Sequence, residues 1–275
     1  MSRSIVLLLS LLCLICCQST IQEGGNASAD STASSRSIPD HPAMETPAPL
    51  DTIPLKYLLG QFDPESDSQF QSIDTRFSGG SALRQKLHRE THAAFEKMWQ
   101  AAQEEGISLT ILSATRNFYY QKSIWEAKWN GQRNVEGKNL AQTVPDPAER
   151  ALTILRYSSM PGTSRHHWGT DIDINSFNNS YFEQGKGKAE YEWLLANGPE
   201  YGFCQVYSPK GGDRPYGYEE EKWHWSYLPL ADRYLKSYAA LVTPDMITGF
   251  AGAGVAEEIQ VIDRYVFGIN PSCKD

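Results

Sequence analysis

Two short segments that lie far apart in the chain both carry side chains that bind metal ions. The first reads Ser-Arg-His-His-Trp-Gly-Thr-Asp-Ile-Asp (Ser164–Asp173), and the second reads Glu-Lys-Trp-His (Glu221–His224). A hydrolytic zinc site needs about three protein ligands and one open position for water, and histidine and aspartate are common ligands. His166, Asp173 and His224 supply that number. The fold therefore has to bring both segments to one point.

The first segment has the pattern of a turn followed by a strand. Gly169 allows the chain to bend sharply after the histidines. Thr170–Ile174 then alternates, so Asp171 and Asp173 share one face and the two isoleucines share the other. One acid of this pair can point at a metal held beside a histidine.

Each motif also has a simpler structural interpretation. A pair such as His166 and His167 is more often a loop feature than a metal site, and Asp-Ile-Asp-Ile is most simply a half-buried strand with an acidic face. The Trp-His-Trp run around His224 is typical of core packing. The occurrence of metal-binding residues beside glycine and tryptophan in two segments favours the metal site. Spacing alone leaves open which histidine of the pair binds.

Glu221 has a position that suits a catalytic base. It lies three residues before His224, so its carboxylate can reach the same ion. There it can take the proton from a water molecule that the metal activates.

Three ordered motifs resemble those of VanY-type D-alanyl-D-alanine carboxypeptidases. Pro161–Asp173 is similar to their Ser-x-His-x-x-Gly-x-Ala-x-Asp signature, and Tyr216–Tyr227 is similar to the region of their Glu-x-Trp-His motif. Ser113–Gln121 resembles their Ser-Gly-Tyr-Arg-Ser...Gln segment. The resemblance extends from Leu83 to the end of the second motif.

The resemblance implies a zinc site and a catalytic base. His166, Asp173 and His224 would bind one Zn²⁺ per chain, which selects His166 over His167. Glu221 would be the base. The implied fold is hedgehog/DD-peptidase-like.

The same resemblance implies three further roles. Arg116 would stabilise the oxyanion, although by position alone it is more simply a surface arginine. Ser164 and Gln121 would contact the substrate.

The activity that the resemblance implies is that of a zinc metallopeptidase. Specifically, it is a D,D-carboxypeptidase that trims the terminal D-Ala of peptidoglycan stem peptides. Two alternatives remain within the superfamily: a peptidoglycan endopeptidase that cuts cross-bridges, and a metal-binding but non-catalytic wall-recognition module. The presence of both Glu221 and Arg116 favours an enzyme over the module.

The chain departs from the family pattern at several positions. Asp171 stands where the family usually has Ala, Lys222 where Pro is common, and Ala114-Thr115 where Gly-Tyr is common. None of these changes removes a ligand. Asp171 adds negative charge near the metal, where it could compete as a ligand or shape the pocket.

The first residues predict export and a lipid anchor. Met1–Cys17 has one positive charge at Arg3 and an apolar run too short to span a bilayer, as in a secretory signal. Leu14–Cys17 resembles a bacterial lipobox with Cys17 as the lipidated residue; the alternative is an ordinary signal peptide. We therefore expect a protein of the bacterial cell envelope, lipid-anchored on the periplasmic side, or else secreted.

Composition separates a tether from a catalytic domain. Gln18–Pro54 is rich in Ser, Thr, Ala, Gly and Pro and cannot bury enough apolar surface to fold. Residues 55–275 suit one zinc peptidase domain. The net charge of −8, without any basic run, argues against a nucleic-acid partner.

Two cysteines of the predicted domain are candidates for a disulfide. Cys204 and Cys273 remain once the signal and Cys17 are set aside. Because the envelope is oxidising, we expect them to pair.

The hydrophobic pattern predicts an α+β fold, with a small, mainly antiparallel sheet packed with helices. His88 and His92 lie one turn apart in the first helix but lack a third ligand in register, so packing or surface roles are favoured. The predicted helices are Ser81–Glu105, Phe118–Trp129, Ala148–Tyr157, Ala189–Ala196, Leu230–Leu241 and Val255–Val266. The predicted strands are Ile107–Ser113, Thr170–Ile174, Phe203–Tyr207 and one that carries His224, with a loop at Asn130–Asp146.

Overall fold

The computed structural model describes residues 52–274. The predicted signal sequence, the predicted lipidation at Cys17 and nearly all of the predicted tether lie outside this range. Within it, no helix combines the length and the apolar character that crossing a membrane requires.

Helices alternate with short strands along the described chain. The strands are β1 (Phe70–Ser72), β2 (Lys86–His88), β3 (Ile111–Ser113), β4 (Asp171–Ile174), β5 (Phe203–Gln205) and β6 (His224–Tyr227). The helices are α1 (Leu55–Leu58), α2 (Arg89–Glu104), α3 (Phe118–Trp129), α4 (Leu140–Thr143), α5 (Pro147–Ile154), α6 (Gly185–Asn197) and α7 (Leu228–Leu241). The predicted α+β class, with a small antiparallel sheet, is confirmed.

The main sheet has four strands in the order β3, β4, β6, β5, and each neighbouring pair is antiparallel. In this register Asp173 lies between Ser113 on β3 and His224 on β6. Residues directly opposite each other on neighbouring strands point to the same face. The pairing of β4 with β6 thus joins the two segments that the sequence singled out.

Strand β4 is buried on both faces. Its two isoleucines pack in a hydrophobic cluster with Phe95 and Met98 of α2, which lie on one face of that helix. Its two aspartates are also buried, at 0% and 3% exposure. The simpler interpretation of this strand, with a solvent-exposed acidic face, is therefore wrong.

The predicted helix over Ser81–Glu105 is wrong in its first part. A 3₁₀ turn occupies Gly80–Arg84, and the next residues form β2, which pairs with β1. Helix α2 starts only at Arg89, where ring Nδ1 of His88 accepts the backbone N–H of Glu90 at 3.3 Å. The pairing of β2 with β1 thus prevents a helix before Arg89, and the cap by His88 fixes the start of α2, although the apolar spacing predicted an earlier start.

The predicted closing helix over Val255–Val266 is also wrong. A 3₁₀ turn ends at Val255, and Ile262–Val266 forms a single π-helical turn. Between them Gln260 adopts a positive φ of 53°, which a continuous right-handed helix excludes.

A disulfide joins Cys204 on β5 to Cys273 near the C-terminus, with 5.7 Å between their Cα atoms. Because it closes a loop over 69 residues, it restricts the unfolded chain strongly.

We expect Cys273→Ser to lower the free energy of unfolding by about 2–4 kcal/mol. Denaturant unfolding with and without reductant measures this, and reductant should destabilise the wild type but not the variant. Equal midpoints for oxidised wild type and variant would contradict the expectation.

Candidate metal centre and cleft

Three potential metal ligands converge at the floor of a cleft. One ligand atom each from His166, Asp173 and His224 lies within 4.8 Å of the others, and all three residues are buried. Asp173 is central, because its Oδ2 is 3.4 Å from Nε2 of His166 and its Oδ1 is 3.5 Å from Nδ1 of His224. The structure thus brings together the three residues that the sequence proposed as ligands.

A tight turn before β4 presents His166 to this point. The residue lies in the 3₁₀ turn Arg165–Trp168, which ends at Gly169 with a φ of +70°. A Cβ at Gly169 would lie 2.4 Å from the ring of Phe70, so only glycine fits. Nδ1 of His166 donates to the carbonyl of Ala114 at 2.8 Å, which leaves the Nε2 lone pair facing Asp173.

His167 is buried too, but both of its ring nitrogens have partners elsewhere. Nδ1 donates to the carbonyl of Arg116 at 2.5 Å, and Nε2 accepts the backbone N–H of Gly162 at 3.0 Å. Burial lowers the pKa of His167 to about 3, so the ring is neutral. It therefore supports the backbone that leads to Arg116 and is not available to a metal.

Asp171 contacts the outer nitrogen of His224. Its Oδ1 accepts from Nε2 of His224 at 2.9 Å and from Nε of Arg165 at 3.0 Å, while Oδ2 accepts from Ser226 and Thr170. Burial opposes ionisation, but Arg165 and His224 hold the pKa of Asp171 well below its usual range. Its oxygens are thus engaged, and it acts on the site by leaving Nδ1 of His224 to face Asp173.

Glu221 lies beside the same nitrogen. Its Oε2 is 3.2 Å from Nδ1 of His224, and burial raises the pKa of its carboxyl group above the usual value. Although burial favours neutral His224, the hydrogen bonds to Asp171 and Glu221 raise the pKa of this histidine to about 9. A metal at Nδ1 must therefore displace a proton, so its affinity should fall at low pH.

The residues predicted to bind substrate also line the cleft. Arg116 has no hydrogen bond at Nε, and the hydroxyl of Ser164 is buried without a partner in the described chain. The side-chain nitrogen of Gln121 is engaged, since it donates to the carbonyl of Ser159 at 2.8 Å. The cleft holds about 570 Å³.

Three other residues that line the cleft had no role predicted from the sequence: Tyr207, Tyr218 and Lys128. The ring of Tyr207 lies 4.7 Å from that of His224 and 4.9 Å from that of Tyr218. Lys128 follows Gln121 by seven residues on α3. Helical spacing could have identified Lys128, because residues seven apart lie on one face.

The donor set fits zinc. Nε2 of His166 and Oδ1 of Asp173 are buried and lack hydrogen-bond partners within the described residues, which is costly unless a ligand satisfies them. Two imidazole nitrogens and one carboxylate, with space above them, match a zinc site that keeps an open position.

Comparison with known proteins identifies similar chains. Residues 84–230 match the family model of VanY, D-alanyl-D-alanine carboxypeptidase. YodJ of Bacillus subtilis, which is assigned as a carboxypeptidase, is 28% identical over 176 residues, or 62% of this chain and 56% of YodJ. A D-alanyl-D-alanine carboxypeptidase of Enterococcus faecalis is 26% identical over 140 residues, or 49% of this chain and 46% of that protein.

The chain thus spans about half the length of these curated relatives. Among solved structures, VanYB in complex with D-alanine-D-alanine aligns with a TM-score of 0.44 and 20% identity. That alignment covers 68% of this chain and 91% of VanYB.

Metal analysis tests the ligand set directly. We expect about one zinc per chain in the purified protein, and loss of zinc in His166→Ala and His224→Ala, because two ligands hold it weakly. His167→Ala is the matched control, and it should keep zinc while it loses stability. Full zinc occupancy in the His224 variant would contradict the assignment.

Asp171 should tune metal affinity through His224. We expect Asp171→Asn to weaken zinc binding by about 10- to 100-fold, because the neutral side chain orients the imidazole less strongly. Competition with a chromogenic chelator measures the affinity. Ser226→Ala removes the hydrogen bonds of this hydroxyl with Asp171 and Arg165 without touching His224, so its affinity should stay near wild type. Unchanged affinity in Asp171→Asn would exclude this role.

Proposed function

The chain belongs to the VanY family of D-alanyl-D-alanine carboxypeptidases, and we propose that it is a zinc-dependent D,D-carboxypeptidase that removes the terminal D-alanine of peptidoglycan stem peptides. One observation supports this most strongly. His166, Asp173 and His224 converge in a cleft that also holds the buried carboxylate of Glu221 and the guanidinium of Arg116. A purely structural metal site would have no need of a base and an unpaired cation.

A zinc ion held by the three ligands would supply Lewis acidity, which lowers the pKa of water and polarises the scissile carbonyl. Glu221 accepts the proton of the attacking water and then delivers it to the leaving amine. Its buried carboxyl group, with a raised pKa, is closer to the ideal range for proton transfer near neutral pH than an exposed one.

Arg116 is suited to the negative charge that develops on the carbonyl oxygen. Its backbone N–H donates to the carbonyl of His166 at 3.1 Å, and its own carbonyl accepts from His167. Both contacts hold this part of the chain against the turn that carries His166. The Nε–H has no protein partner in the described chain, so it can donate to the oxyanion.

Digestion of defined muropeptides tests the proposal. We expect release of single D-alanine from pentapeptides that end in D-Ala-D-Ala, loss of activity with chelator and recovery with Zn²⁺. Glu221→Gln should keep zinc and lose about 10²- to 10⁴-fold in turnover, because it removes the positioned base. Mass spectrometry identifies the products.

Cross-linked dimers in the same digest distinguish the alternatives. If dimers are split faster than pentapeptides lose D-alanine, the protein is an endopeptidase and the carboxypeptidase proposal is wrong. If neither substrate is cleaved but zinc and muropeptide are bound, it is a recognition module.

A further inference from the structure

One face of α3 runs along the cleft wall. Gln121, Ile124 and Lys128 are spaced by three and four residues and all line the same cleft as Glu221 and Arg116. Gln121 and Lys128 are seven residues apart, so this face extends about 10 Å along the helix axis. The ammonium group of Lys128 donates to the hydroxyl of Ser158, while Gln121 donates to the neighbouring Ser159 carbonyl. The helix and this segment therefore form one continuous wall.

Lys128 has no anionic partner. In the part of the chain that the structure describes, no carboxylate lies within 4.0 Å of its nitrogen, and the same is true of Arg116 and Arg133. By contrast, Lys122 on the same helix lies 3.9 Å from Glu126 outside the cleft. A half-buried ammonium group without a carboxylate within ion-pair distance is costly, so the position of Lys128 needs another explanation.

The electrostatics of the cleft favour an anion. Burial lowers the pKa of Lys128 to about 8; the charges of Arg133 and Arg116 contribute in the same direction, and the carboxylate of Glu221 opposes them. Three unpaired cations thus face the carboxylates of Asp173 and Glu221, and the lining has a positive excess although the chain carries −8.

The other hydrogen-bond donors of the cleft are less suited than Lys128 to bind an anion. The amide nitrogen of Gln121 is already bound to Ser159, and Arg116 is assigned to the oxyanion. Ser164 offers a single neutral hydroxyl. Arg133 is exposed at the cleft, whereas Lys128 is half-buried in its wall.

We infer that Lys128, together with the hydroxyl of Ser158, binds the free C-terminal carboxylate of the peptide substrate and is the residue that restricts the site to chain ends. The inference rests on the proposed function and deepens it. A carboxylate paired with an ammonium ion forms a strong, charge-assisted hydrogen bond, whereas an amide leaves the half-buried charge of Lys128 unpaired. The ligand class is thus a peptide with an unmodified C-terminus.

Binding to an inactive enzyme tests the inference without turnover. In full-length, zinc-loaded Glu221→Gln protein, calorimetry should find that a peptide acid ending in D-Ala-D-Ala binds about 10- to 100-fold more tightly than the same peptide with a C-terminal amide. Adding Lys128→Met should reduce that ratio to about one by weakening the acid only.

Two further variants provide controls. Lys128→Arg keeps the charge and should retain most of the preference for the acid. Lys138→Met removes an exposed lysine elsewhere and should leave the ratio unchanged. A preference that persists in the Lys128→Met background, or equal binding of acid and amide with Lys128 present, would overturn the inference.

The outcomes separate this inference from the proposed function. If the wild-type enzyme releases D-alanine but the ratio does not depend on Lys128, the inference is wrong and the function stands. If the wild type hydrolyses neither peptide yet the ratio depends on Lys128, the carboxylate site stands and the function is wrong.

Discussion

The register between β4 and β6 is the constraint on which the rest of the site depends. It places Asp173 directly opposite His224 and Asp171 opposite Ser226. The period of a strand is two residues, so a slip by one position would turn both aspartates into the hydrophobic core and both isoleucines into the cleft. Burial of Ile172 against α2 makes such a slip very unfavourable. The hydrophobic core thus fixes the geometry of the candidate metal ligands.

Residue spacing along the sequence correctly predicted the helices whose ends are fixed by nearby residues. Helix α3 begins and ends where the sequence places it, because Asn117 accepts the N–H of Tyr120 at its start. The errors arise where distant contacts decide. β2 is a strand because β1 pairs with it. The last predicted helix is broken at Gln260, which has a positive φ that could not be predicted from a glutamine.

The sequence pointed to the two segments that carry the candidate metal ligands, but not to the groups that orient those ligands. Spacing could not distinguish His166 from His167, since both are buried and the difference lies in which backbone groups occupy their nitrogens. The orientation of Asp171 away from the metal position depends on Arg165 and on a serine on another strand. Helical spacing places Lys128 on the same face of α3 as Gln121, but the cleft beside that face is visible only in the tertiary structure.

The covalent link between Cys204 and Cys273 has a consequence for the outer border of the sheet. β5 is an end strand, and the C-terminal segment lies along it: Asn270 donates to the carbonyls of Val206 and Gln205 at 2.8 and 3.0 Å. At the opposite border, Gly79 donates to the carbonyl of Ile111 on β3. Unpaired strand edges are the usual templates for intermolecular β-aggregation. Since loop residues donate hydrogen bonds to carbonyl groups on or next to both border strands, we expect the four-stranded sheet to pair less readily with neighbouring molecules, and the disulfide holds the C-terminal segment at one border.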